Sequence, residues 1–78
     1  MTTHAMANLE AAEEPSINET AVFADISEHG ARLITHRRWP AGIQVIVTDV
    51  LVDFRVTATV VYCAPYKLQC FAVGLNFL

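Results

Sequence analysis

The residues best suited to chemistry in this 78-residue chain gather in one hexapeptide, Asp25-Ile26-Ser27-Glu28-His29-Gly30. Asp25 and Ser27 stand two apart at the end of an alternating segment, and the period of an extended strand sends both side chains to one face. Together they make a small acceptor site. An ionised carboxylate accepts two parallel hydrogen bonds, which suits a donor pair such as the N1–H and exocyclic N2–H of a guanine edge. Gly30 is expected to supply a positive φ for the chain reversal. The alternative use of the same residues is a plain turn, in which Asp25 and Ser27 bond to nearby backbone.

Three cations are candidates to complete such a site. Arg32 directly follows the turn and is the best placed to meet an anion near Gly30, although a surface strand residue paired to an acid such as Glu28 would look the same. Arg37 and Arg38 sit in a loop after the next strand, where paired arginines are usually solvated. Ser27 with His29 is the one pair suggestive of nucleophilic catalysis. No nucleophile elbow, oxyanion glycines or orienting acid accompanies it, so the reading is not an enzyme. Cys63 and Cys70 flank the Ala64–Gln69 connection and could face each other on neighbouring strands; two buried thiols are the expectation. His4, His29 and His36 share no ligand spacing with the cysteines, so no metal site is expected.

The elements that position these groups are strands. From Thr20 onward β-branched and aromatic residues recur with a period of two. The pattern predicts strands at Thr20–Ile26 and Ala31–His36, paired as a hairpin through the Ser-Glu-His-Gly turn. Further strands follow at Ile43–Asp49, Phe54–Cys63 and Gln69–Phe77. In the fourth, Phe54, Val56, Ala58, Val60 and Tyr62 form the inward face. In the fifth, Phe71, Val73, Leu75 and Phe77 lie together, and Gly74 leaves room on the other side. Between the second and third, Arg37-Arg38-Trp39-Pro40-Ala41-Gly42 reads as a loop, because Pro40 cannot donate to a ladder and Gly42 tolerates turn geometry. Antiparallel strands with short loops and no crossover helix predict an all-β, compact antiparallel barrel.

Composition bounds the rest. A chain that is 54% hydrophobic and 17% charged folds in water as one small domain. The most apolar stretch, Val45–Val52, is broken by Thr48 and Asp49, and no signal-like N-terminus precedes it, so a cytoplasmic protein with no membrane association is expected. The net charge of -3 is uneven. Glu10, Glu13, Glu14 and Glu19 occupy residues 1–19, which read as an acidic leader, helical or disordered, before a barrel domain at residues 20–78. The barrel part is near neutral, which argues against DNA or RNA as a partner.

Beyond the hexapeptide, Asp25-Ile26-Ser27-Glu28-His29-Gly30-Ala31-Arg32-Leu33 resembles the DxSxxG segment of PilZ domains. Trp39-Pro40-Ala41-Gly42-Ile43-Gln44-Val45 resembles that family's turn into its next strand, Ala58–Cys63 the strand after it, and Val73-Gly74-Leu75-Asn76-Phe77 its closing strand. The resemblance covers about Thr20 to Leu78. It implies a six-stranded antiparallel barrel that binds the bacterial second messenger cyclic di-GMP, needs no other cofactor, and passes the signal to a protein partner. Asp25, Ser27 and Gly30 would hold the guanine edge and shape the turn. The family's other half is an RxxxR segment upstream of the first strand, whose guanidinium groups stack on guanine and pair with phosphate. No Arg precedes Arg32 here. Losing charge-assisted contacts worth about 1.5–3 kcal/mol each weakens binding tenfold or more per contact, so weak or altered binding is expected. The alternative is a degenerate PilZ domain that serves as a protein-interaction module. The family's first strand is expected to be missing or modified, with the barrel either truncated or completed by the leader.

Overall fold

The chain folds as a closed barrel of antiparallel strands in a computed structural model that describes residues 6–49 and 51–78. The strands are β1 (Met6–Ala11), β2 (Asn18–Ile26), β3 (Gly30–Thr35), β4 (Gln44–Asp49), β5 (Phe54–Pro65) and β6 (Phe71–Phe77). Around the barrel they run β1-β2-β3-β6-β5-β4, and β4 closes back on β1. Among the described residues, closure leaves no sheet edge to pair with a foreign strand. Among the described residues there is no helix, and hence none long and apolar enough to cross a membrane.

Alternation explains the core. Every strand sends alternate side chains inward: Ala7 and Leu9 from β1, Ala21 and Phe23 from β2, Leu33 and Thr35 from β3, Val45 and Val47 from β4, Ala58 and Val60 from β5, Val73 and Leu75 from β6. Small and branched residues face each other across the registers Ala7↔Ala21, Leu9↔Val47 and Val60↔Leu75, as the narrow interior of a six-stranded barrel requires.

The stretch read as an acidic leader takes the second of the two courses open to it. Met6–Ala11 is extended, pairing with β2 on one side and β4 on the other, and so completes the barrel. Its Ala, Asn and Glu are poor strand formers, but Ala7 and Leu9 alternate inward and the tertiary pairing overrides local preference. Asn18 and Glu19 extend β2 backward into the same stretch. Glu19 is no leader charge. It faces inward at the barrel mouth, where its carboxylate accepts hydrogen bonds from Trp39 Nε1 at 2.7 Å and from the backbone N–H groups of Arg37 and His36 at 3.0 Å each.

That carboxylate seats the β3–β4 loop. Trp39, which the pattern assigns to a loop, is the largest fully buried side chain and plugs one end of the barrel. Its indole N–H needs an acceptor once desolvated, and Glu19 is that acceptor. Thr35 Oγ1 donates to the Arg37 carbonyl at 2.8 Å, and Gly42, at φ 99°, turns the chain into β4.

Two expected features move. Tyr62 does not continue the inward face of β5, because the register slips between Val60 and Tyr62 and the extra residue turns the ring outward. Cys63 and Cys70 do not face each other: Cys63 lies opposite Val73 in the ladder, and Cys70 precedes β6. Both are free thiols and half-buried rather than buried.

Candidate functional site

The β2–β3 turn is built by local hydrogen bonds. Ser27 N–H donates to the Gly30 carbonyl at 2.8 Å, Ser27 Oγ donates to the same oxygen at 3.4 Å, and His29 N–H reaches Ser27 Oγ at 3.4 Å. The backbone bond closes the turn; the two longer contacts are weak and leave the hydroxyl exposed. Phe77 N–H donates to the His29 carbonyl at 2.8 Å and anchors the turn to β6.

Gly30 is required, but for a different reason from the one expected. Its φ is not positive; the positive-φ glycine is Gly42. A β-carbon on Gly30 would instead run into the backbone carbonyl of Leu75 on β6. The glycine lets β3 approach β6 closely where the turn begins.

Outside the barrel, the registers set four residues in a row across four strands. Asp25 of β2 lies opposite Arg32 of β3, Arg32 opposite Gly74 of β6, and Gly74 opposite Tyr62 of β5. Two register shifts make this alignment, one between Phe23 and Asp25 and the other between Val60 and Tyr62. Each inserts one residue, and each turns a side chain out that would otherwise follow the inward face. Gly74 has no side chain, and the Tyr62 ring lies in the space that one would fill.

Over this row opens a cleft of about 340 Å³, lined by Asp25, Ser27, Arg32, Tyr62 and Asn76 and bordered by His29. Its size falls within the roughly 300–1,000 Å³ of ligand clefts. The Asp25 carboxylate makes no hydrogen bond and the Arg32 guanidinium no ion pair among the described residues, so an unpaired acceptor and an unpaired cation both line the opening. The Tyr62 ring offers an aromatic surface beside them. Such an arrangement can take a planar ligand with an edge of donors and a nearby negative charge.

No family model, curated protein or solved structure matches this chain.

Of the residues predicted from sequence, Asp25, Ser27, Gly30 and Arg32 come together in the cleft. Arg37 and Arg38 do not. They follow the far end of β3, roughly 20 Å from the turn at about 3.3 Å per residue. The Arg38 guanidinium sits 5.2 Å from the centre of the Phe71 ring instead. Tyr62 and Asn76 are the cleft residues that sequence reasoning passed over. Tyr62 was legible as an aromatic, but the slip that turns it outward leaves no mark in the alternation of β5.

Proposed function

We propose that this chain is a cytoplasmic signalling domain of PilZ type that binds cyclic di-GMP weakly or in an altered manner. The observation that supports it best is the convergence of Asp25, Ser27, Gly30 and Arg32 on one open cleft that Tyr62 also lines. In this reading the Asp25 carboxylate accepts the N1–H and N2–H of a guanine. Ser27 Oγ adds a further polar contact. Tyr62 offers a face against which the base can pack, and Arg32 meets a phosphate.

The first strand begins at Met6, so an RxxxR segment upstream of it would fall at or before residues 1–5, outside the described residues. Downstream of that position, Glu10 lies in β1, Glu13 and Glu14 in the connection to β2, and Glu19 in β2. In the present sequence Arg32 is the cation nearest the acceptor, and a single guanidinium supports modest affinity.

Calorimetric titration with cyclic di-GMP tests the reading. Binding is expected at ligand concentrations on the order of hundreds of micromolar or below, lost at least about tenfold in Asp25→Ala and in Arg32→Ala and unchanged in His36→Ala. The second reading, a degenerate domain that acts by contacting a protein, is favoured by the lack of any Arg before Arg32. It predicts no heat across the same range, and that outcome would overturn the first.

A further inference from the structure

At the barrel end remote from the cleft, two turns carry opposite charge. The β5–β6 turn is fixed by hydrogen bonds from Tyr66 N–H to the Cys70 carbonyl and from Cys70 N–H to the Lys67 carbonyl, both 2.8 Å. It holds Leu68 and Gln69 at φ 45° and 68°, a left-handed conformation that is costly for a leucine. In this turn Leu68 is 94% exposed, next to Lys67, with Arg38 over Phe71 nearby. The β1–β2 turn carries Glu13 and Glu14. With Ala11, Ile17 and Ile43 these line a depression of about 590 Å³, apolar in its floor and acidic at its rim. Among the described residues none of Glu13, Glu14, Lys67 or Arg38 is in an ion pair.

The strand order places the two turns half a barrel apart. In β1-β2-β3-β6-β5-β4, the β1–β2 and β6–β5 positions are diametrically opposite, with the Trp39 loop crossing the end between them. A twofold rotation perpendicular to the barrel axis therefore brings each acidic turn over the partner's basic turn, and both contacts form at once. We propose that two copies of this chain associate end to end, with Leu68 of each seated in the Ala11–Ile17–Ile43 depression of the other and Lys67 facing Glu13 and Glu14. Each contact consists of one leucine and the few charges around it, so the dimer is weak and salt-sensitive.

Sedimentation equilibrium on the whole chain tests it. A reversible monomer–dimer equilibrium is expected at low salt, shifting toward monomer in about 0.5 M salt, where screening shortens charge interactions to a few ångströms. Leu68→Asp should raise the dissociation constant at least about tenfold. The charge variants exclude a folding artefact. Glu13→Lys with Glu14→Lys makes both turns basic, and Lys67→Glu with Arg38→Glu makes both acidic. Each alone should remain monomeric, and their mixture should form a heterodimer in which both contacts are attractive. A monomer at every concentration, a dimer indifferent to Leu68→Asp, or a mixture that stays monomeric would overturn the proposal.

Discussion

At the scale of the residue, the two glycines behind the cleft do different work, and they should respond differently to the same substitution. A β-carbon on Gly30 meets the Leu75 carbonyl, a backbone group held in the β3–β6 ladder. It cannot move without breaking that ladder, so Gly30→Ala should cost about 2 kcal/mol or more of stability. A β-carbon on Gly74 meets the Tyr62 ring, which is 42% exposed and free to turn aside. Gly74→Ala should cost under about 1 kcal/mol, and Tyr62→Ala in the same chain should remove even that. Urea unfolding of the variants measures both, and a Gly74→Ala penalty equal to that of Gly30→Ala would contradict this account. The sequence made Gly30 conspicuous by its spacing from Asp25. It could not show that the constraint comes from a strand more than forty residues later, because a steric approach between distant segments has no local signature.

At the scale of the element, β2 to β6 were legible because β-branched and aromatic residues recur in them with a period near two, most clearly in β5, where Arg55, Thr57 and Thr59 alternate with Val56, Ala58 and Val60. β1 was not legible. Two inward residues, Ala7 and Leu9, are too few to establish a period, and Glu10 with the nearby Glu13 and Glu14 gave the segment the composition of a solvated leader. Trp39 and Glu19 were hidden for the same reason. Their hydrogen bond spans twenty positions, and each residue sits in a stretch that looks polar by itself. Leu9 gives a direct test of β1, since its side chain is fully buried against β2 and β4. Leu9→Ala should destabilise the protein by about 2–4 kcal/mol, the cost of a core truncation. A thermal or urea transition within about 0.5 kcal/mol of the parent, the range of a surface substitution, would mean that the segment is not part of the barrel.

At the scale of the whole molecule, the barrel separates two surfaces. The β2–β3 turn and its cleft lie toward one end, and the Trp39 plug with the charged turns lies at the other. Arg37 and Arg38 belong to the second end because β3 carries the chain the length of the barrel before they occur. Their sequence proximity to Asp25 suggested a common site, and strand direction alone separates them. The proposed guanine-nucleotide site is the cleft of Asp25, Ser27, Arg32 and Tyr62. Two-dimensional amide NMR of the labelled chain, titrated with cyclic di-GMP, tests that claim most directly. The predicted result is a set of concentration-dependent shifts confined to residues 25–32, Tyr62 and residues 74–76; shifts centred on Arg37, Arg38 and the Trp39 loop, or none at all, would contradict it.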